Sequence, residues 1–340
     1  MVDPEPPPPQ RDAEMVWAKA GATPPVVSVV IPCFNSGELI AGTIASVAAQ
    51  TLQGVEVIVI DDASSDDTVE VARRALEQSG LPGCLVRCAA NGGPARARNE
   101  GVRRSTGEFV AFLDSDDTWL PEKLERQVAL MRQDPHVTLC GCQALWVDEE
   151  SRREWLHFHN LPTFNKEGWR LLLWSTYIAT PCVMARRDDL GIAPFDARLR
   201  VAEDRDLWFK LATNGTVALV QEPLVRIRVS RGSYMARNVE LIRNHTVPMM
   251  RRNMALFAEK LTLHQHMLAL GRLHSELGRS MADGQGPWAP GARHLVWAAI
   301  LGDRRMDNLT KVLATAPWLR RIIAALRPYR RRLARGGTAR

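Results

Sequence analysis

Two acidic clusters in the sequence have the composition of cation-binding or proton-transferring groups. Asp114-Ser115-Asp116 directly follows the apolar run Phe109–Leu113, and Glu203-Asp204 opens a segment with helical spacing. Two carboxylates one residue apart in a turn can both face a hard cation such as Mg²⁺ or Mn²⁺, which keeps open positions for phosphate oxygens. A simpler interpretation makes Asp116 or Asp117 the N-cap of a helix that begins at Pro121.

Other polar residues follow strand-like runs in the same way. Asp61 and Asp62 come directly after the run Val55–Ile60. A carboxylate there could accept hydrogen bonds from a ribose hydroxyl or a base N–H, and the alternative is a polar loop with a helix N-cap at Ser64 or Ser65. Arg98 falls in the first turns of a predicted helix, where free N–H groups and the helix dipole favour anions. A solvated helix face is the alternative for Arg98.

The elements that must position these residues alternate along the chain. β-branched runs at Val26–Ile31, Val55–Ile60 and Phe109–Leu113 are separated by segments with helical spacing, and each connection is short. This alternation predicts an α/β fold with an open, mostly parallel sheet flanked by helices. Carboxyl ends of parallel strands share one edge of a sheet, which predicts a polar rim there. The rim residues are Asn35, Asp61, Asp62, Asn91, Asp114 and Asp116.

The order of these motifs resembles the family 2 glycosyltransferases, which are inverting enzymes of the GT-A fold. The segments VSVVIPCFNSGELI, VEVIVIDDASSDDT, NGGPARARNEGVRRSTGEFVAFLDSDD and AEDRDLWFKLA carry the resemblance. It implies a GT-A domain over residues 26–233. Composition predicts a disordered, proline-rich leader over residues 1–25, and helical patterns predict a C-terminal helical extension over residues 234–340.

The resemblance also implies roles for single residues. Asp204 is the implied general base, which takes a proton from the acceptor hydroxyl, and Glu203 is the second candidate for that role. Asp116, together with Asp114, is the implied ligand of Mg²⁺ or Mn²⁺. Trp208, one helical turn after Asp204, is either a core residue or a sugar-stacking residue. The implied nucleotide-binding residues are Pro32, Asn35, Glu38, Asp61, Asp62, Ser64, Asn91, Arg98, Asp114, Ser115 and Asp116.

One departure from the family pattern concerns the metal. Many relatives place a histidine after a strand that resembles Leu224–Val229, and Ser230 stands at that place in this chain. Arg231 could supply positive charge instead. The sequence alone therefore does not decide between metal dependence and another way of holding the diphosphate.

The resemblance implies transfer of a sugar, with inversion, from a nucleotide-diphosphate donor to a hydroxyl of a glycan or lipid-linked acceptor. UDP is the first nucleotide by family habit, and the pathway would be cell-surface polysaccharide or glycoconjugate synthesis. Two alternatives are a non-catalytic nucleotide- or glycan-binding homologue, which the missing histidine favours, and a nucleotidyltransferase-like enzyme. A nucleic-acid partner is not expected, because basic residues are not interleaved with aromatic residues across the fold.

The net charge of +6 is concentrated at one end of the chain. Trp318–Arg340 contains eight arginines and no acidic residue, so the rest of the chain is slightly acidic. Arginines beside an apolar stripe are typical of a helix that lies on anionic lipid, and a packing or oligomerising helix is the alternative. The start of the chain lacks the pattern of a secretory signal. We therefore expect a cytoplasmic protein, held peripherally on the inner face of the cell membrane.

Overall fold

A computed structural model of the chain describes residues 13–156, 166–174, 178–229 and 241–261. Its strands are β1 (Glu14–Lys19), β2 (Val27–Cys33), β3 (Val55–Asp61), β4 (Gly83–Arg87), β5 (Phe109–Phe112), β6 (Thr118–Trp119), β7 (Val137–Asp148), β8 (Arg153–Leu156), β9 (Met184–Arg186) and β10 (Thr216–Arg228). Its α-helices are α1 (Ile40–Ala48), α2 (Thr68–Ser79), α3 (Pro94–Arg104), α4 (Lys123–Gln133), α5 (Gly168–Trp174), α6 (Arg187–Leu190), α7 (Glu203–Asn214) and α8 (Val247–Leu256).

These strands form one sheet in the order β1-β4-β3-β2-β5-β9-β7-β10-β6, and β8 pairs with β7. The neighbours β4, β3, β2 and β5 run parallel, and β7 and β10 form a second parallel pair. β2, β3 and β5 are almost entirely buried apolar residues, as expected of strands covered on both faces. The predicted α/β class with a large, mostly parallel sheet is confirmed.

Helix α3 packs close to β2, and a glycine makes that approach possible. A Cβ atom added to Gly101 would lie 2.3 Å from Cγ1 of Val30. A larger side chain would push the helix away from the strand, because packed interiors leave no room for an extra methyl group. This contact matters for the site, since Arg98 lies one turn earlier on the same helix.

The first strand corrects the predicted disordered leader. Glu14–Lys19 pairs antiparallel with β4, and Lys19 also donates from Nζ to the carbonyl oxygen of Gly80 at 2.6 Å. An otherwise open sheet edge exposes unpaired N–H and C=O groups, and β1 covers that edge of β4. The strand was not predicted because most of its side chains are exposed and it follows a proline-rich stretch.

The last strand also differs from the prediction. The predicted strand Leu224–Val229 is the second part of one longer strand, β10, which begins at Thr216. Its pairing with β7 shifts register on both sides of Pro223. Proline cannot donate a ladder hydrogen bond, and a bulge lets the strand continue past it.

The chain divides into two compact units, Met1–Leu172 with Thr176–Arg231 and Leu173–Ser175 with Gly232–Arg340. In the second unit, the described residues Ile242–Lys260 are helical. Ser230, Arg231, the later predicted helices and Trp318–Arg340 lie outside the described residues. Within the described ranges, no helix has both the length and the apolar character of a bilayer span. The predicted boundaries at residues 26 and 233 stay predictions.

Candidate active site

The turns after β2 and β3 form the first part of a polar rim. Asn35 has a left-handed backbone with φ 50°. Its N–H donates to the Ser64 hydroxyl at 2.9 Å, and its side-chain oxygen accepts the N–H of Ser65 at 2.9 Å. Asn35 therefore ties the two turns together. Pro32 is half-buried near the end of β2, and Glu38 is exposed before α1.

The two carboxylates after β3 are buried and hold neighbouring segments. Oδ2 of Asp61 lies 3.6 Å from Nε of Arg87. Asp62 accepts the N–H groups of Gly92 and Gly93 at 2.9 and 2.7 Å. Burial raises the pKa of Asp62, and these two N–H groups offset part of that shift. Asp62 thus fixes the loop that leads into α3.

The Asp114-Ser115-Asp116 turn lies beside the turn after β2. The hydroxyl groups of Ser115 and Ser36 are 2.8 Å apart. Asp114 is half-buried and Asp116 is exposed. The two carboxylates of the motif are therefore the accessible ones of this turn.

Asp117, the next residue, links this turn to the end of β10. It is buried, and its Oδ1 accepts the N–H of Arg228 at 2.8 Å. Burial first, and the charges of Asp114 and Asp116 second, raise its pKa well above the usual value. The helix-cap interpretation of Asp116 and Asp117 is wrong, because α4 begins at Lys123 without a side-chain cap.

The donors of this turn suit a hard divalent cation. Burial of its carboxyl group and the charge of Asp114 raise the pKa of Asp116, although the residue as a whole is exposed. Carboxylates that repel each other across one turn gain from a shared cation, whose remaining ligands can be diphosphate and water oxygens. Within the part of the chain that the structure describes, no three or more His, Cys, Asp or Glu side chains come together as a metal-binding group.

Arg98 joins this turn to α7. Its Nη2 donates to Oδ1 of Asp114 at 2.7 Å, and its Nη1 donates to Oε1 of Glu203 at 2.7 Å. The side chains of Arg98 and Glu203 are only 7% and 8% exposed. A guanidinium group has donors in a fixed fork, so one arginine can hold two carboxylates in a set geometry. Arg98 also lies over the Phe195 ring, 5.7 Å from its centroid.

Glu203 and Asp204 begin α7 in different environments. Glu203 is buried, which raises its pKa, and Arg98 offsets part of that shift. Asp204 is half-buried. Its Oδ2 accepts the hydroxyl of Thr180 at 2.8 Å, and its Oδ1 accepts the N–H of Arg205 at 2.6 Å. Asp204 is therefore the more accessible carboxylate of the pair.

Trp208 belongs to the core. It is fully buried, and its ring lies 5.5 Å from that of Phe112 and 5.9 Å from that of Phe195. The sugar-stacking interpretation is therefore wrong. The aromatic cluster fixes α7 against β5, and Asp114 follows two residues after the end of that strand.

Most of the predicted site residues lie at the rim, near the carboxyl ends of the parallel strands, and hydrogen bonds link many of them. Asn91 is exposed in the loop that Asp62 holds. Thr180 and Asp117 are contacts that sequence reasoning missed. Thr180 stands in no motif, whereas Asp117 is the last acidic residue of the run that begins at Asp114, and the sequence indicated only a helix-cap role for it.

Comparisons with known proteins address the family of the chain. The family model described as "Glycosyl transferase family 2" matches residues 28–191. The "Putative teichuronic acid biosynthesis glycosyltransferase TuaG" of Bacillus subtilis is 30% identical over 211 residues, which cover 62% of this chain and 81% of that protein. The chain belongs to glycosyl transferase family 2.

Other curated relatives of this family 2 member are longer. An "Uncharacterized glycosyltransferase" of Rickettsia bellii is 30% identical over 203 residues, which cover 60% of this chain but 29% of that protein. A second such protein, from Rickettsia felis, is covered over 33% of its length. The chain thus spans about a third of the length of these relatives.

Solved structures show the fold. The S. aureus TarS 1–349 complex with UDP-GlcNAc has a TM-score of 0.57 at 20% identity, covering 87% of this chain and 91% of that one. The mannosyltransferase PcManGT of Pyrobaculum calidifontis, in complex with GDP-Man and Mn²⁺, has a TM-score of 0.54 at 22% identity, covering 90% and 87%. The family 2 member has the GT-A fold.

Proposed function

We propose that this family 2 member is an inverting glycosyltransferase. It moves a sugar from a nucleotide-diphosphate donor, with UDP-sugars as the first candidates, to a hydroxyl of a glycan or lipid-linked acceptor. The observation that carries the proposal is the Arg98 bridge between Asp114 and Glu203. It joins a turn suited to a cation and a diphosphate to the start of the helix that presents Asp204.

In this mechanism Asp204 accepts the proton of the acceptor hydroxyl while that oxygen attacks the anomeric carbon. Attack from the face opposite the nucleotide inverts the anomeric centre. Asp114 and Asp116 would hold Mg²⁺ or Mn²⁺, which when bound neutralises charge on the departing diphosphate. Arg98 keeps Glu203 and Asp114 in place. The nucleoside side of the rim comprises Pro32, Asn35, Glu38, Asp61, Asp62, Ser64, Asn91 and Ser115.

The names of relatives support the donor and acceptor classes. TarS is described in complex with UDP-GlcNAc, and PcManGT in complex with GDP-Man and Mn²⁺. TuaG is named for teichuronic acid biosynthesis, a polysaccharide pathway. A first screen therefore compares UDP- and GDP-sugars with and without Mn²⁺, using thermal stabilisation of the protein as the readout of binding.

The role of Asp204 is tested by Asp204→Asn. Loss of the general base should lower transfer about 100- to 10,000-fold while donor binding persists. Asp188→Asn, in the exposed first turn of α6, is the matched control and should transfer sugar normally. Transfer by Asp204→Asn at the wild-type rate would remove Asp204 from the mechanism. Donor binding without transfer by the wild type would favour the non-catalytic homologue.

We further propose the cellular setting. A GT-A region ending near residue 233 is followed by a helical region, and the division into compact units after Arg231 supports this boundary. The basic segment Trp318–Arg340 would hold the protein on the cytoplasmic face of an anionic membrane. That location would bring the site close to a lipid-linked acceptor.

A further inference from the structure

Thr180 makes a contact with Asp204 that no motif predicts. Its side chain is buried, and its hydroxyl donates to Oδ2 of Asp204 at 2.8 Å. Oδ1 of Asp204 accepts the N–H of Arg205. Each carboxylate oxygen has two lone pairs, so both oxygens can still accept a further hydrogen bond.

The segment that carries Thr180 is fixed by its neighbours. Thr180–Cys182 form one turn of 3₁₀-helix. Nε1 of Trp119 donates to the Pro181 carbonyl oxygen at 2.8 Å, and Nε2 of Gln127 donates to the Cys182 carbonyl oxygen at 2.9 Å. Both donors are buried and come from the segment that follows the Asp114 turn. Thr180 is therefore a donor in a set position.

The start of α7 is fixed from the other side. Glu203 is held by Arg98, and Ala202 enters the helix with a left-handed backbone. Because its neighbour is anchored, the backbone of Asp204 has little freedom. The carboxylate can still rotate about its side-chain torsions, and the Thr180 hydroxyl is the side-chain contact that selects one orientation.

We propose that Thr180 is a positioning residue for the base. Its hydrogen bond orients the Asp204 carboxylate and so holds the oxygen that accepts the proton in one position. This inference rests on the proposed function. In the step, the proton of the acceptor hydroxyl moves to Asp204, and the acceptor oxygen bonds to the anomeric carbon. The bond from that carbon to the diphosphate oxygen breaks, and its electron pair leaves with the nucleotide. Thr180 keeps its own proton.

The test compares Thr180→Val, which keeps the shape and removes the donor, with Thr180→Ser, which keeps the donor. We expect Thr180→Val to lower kcat about tenfold, since the Asp204 carboxylate is no longer held in one orientation. The KM for the donor sugar should change little. Thr180→Ser should restore kcat.

Thr138→Val is the matched control. Thr138 is a buried threonine whose hydroxyl donates to the carbonyl oxygen of Leu211, at the other end of α7, at 2.8 Å. This variant should lose a similar amount of thermal stability and keep the wild-type kcat. If Thr180 had only a structural role, Thr180→Val and Thr138→Val would have the same kcat.

The outcomes separate the two proposals. If Asp204→Asn is inactive and Thr180→Val keeps the wild-type kcat, Thr180 is not a positioning residue, while the base assignment stands. If Asp204→Asn transfers sugar normally, the base assignment falls and the Thr180 inference falls with it. Should Thr180→Val fail to fold, Thr180→Ala removes the same donor and is read in the same way.

Discussion

At the scale of single residues, Arg98 has the most consequences for both stability and chemistry. It pairs with Glu203, separated by 105 positions in the chain, and with Asp114. Removing the guanidinium leaves two carboxylates close together without a counter-charge. A buried carboxylate without a partner is costly, whereas the pair itself contributes much less than its removal suggests. Replacing Arg98 by an uncharged residue therefore tests how much the protein depends on this counter-charge.

We expect Arg98→Met to lower the free energy of unfolding by about 3 kcal/mol, the lower end of the range for breaking a buried pair. The lower end applies because the side chain of Asp114 is 31% exposed and partly screened by solvent. Denaturation in urea measures the loss. Arg132→Met, which breaks an exposed pair with Glu108, should stay within about 0.5 kcal/mol of wild type. Equal losses of unfolding free energy in the two variants would show that the Arg98 bridge matters no more to stability than an exposed ion pair.

At the scale of elements, the entry into α7 depends on a strained backbone. Ala202 is a buried, non-glycine residue with φ 62°. Asn35 and Ala63, at two other turns of the rim, also have positive φ values. Such backbone costs of order 1–3 kcal/mol for a residue with a Cβ and persists where surrounding contacts hold it. In this protein those contacts are the hydrogen bonds of the site.

We expect Ala202→Gly to keep the stability of the wild type or to raise it by up to about 1 kcal/mol, because glycine adopts a left-handed backbone without strain. Ala212→Gly is the matched control, since Ala212 is a buried residue inside the same helix. That change should cost about 1 kcal/mol. Thermal or urea unfolding gives both values. Equal destabilisation by the two glycines would contradict strain at Ala202.

Elements also show how far the sequence could predict this molecule. Buried strands such as β3 are apolar along their whole length, so their ends, and Asp61 and Asp62 with them, could be located from the pattern. The strand β7 continues to Asp148 through half-buried residues with no clear alternation, and only pairing with β8 and β10 explains it. Apolar patterns in the sequence predict which strands are buried in a sheet that is covered on both faces. They do not predict which strands pair near the edges of that sheet.

The candidate site, like the fold, could be predicted only in part. The order of the motifs predicted which residues lie on the rim, because each motif follows a strand. The contacts that leave Asp204 more accessible than Glu203 could not be predicted, since they depend on Arg98 and on Thr180. A hydrogen bond between distant segments follows from packing, and one sequence contains no signal for it.

At the scale of the whole molecule, charge is divided between a slightly acidic body and the basic segment Trp318–Arg340. Lysine or arginine near an anionic lipid surface contributes about 1 kcal/mol each, and salt screens this attraction. The segment also contains apolar residues at helical spacing, such as Trp318, Ile322 and Leu326. A neutral surface would attract it much less than an anionic one.

The full chain should therefore sediment with vesicles containing phosphatidylglycerol and much less with vesicles of phosphatidylcholine alone. Replacing Arg330, Arg331 and Arg332 by glutamine should weaken binding at least about tenfold, because three favourable charges are lost. The matched control replaces three exposed arginines of the body, Arg74, Arg126 and Arg132, and should bind normally. If both triple variants lose binding equally, the attraction comes from net charge. Unchanged binding after removal of residues 318–340 would exclude the segment as the membrane contact.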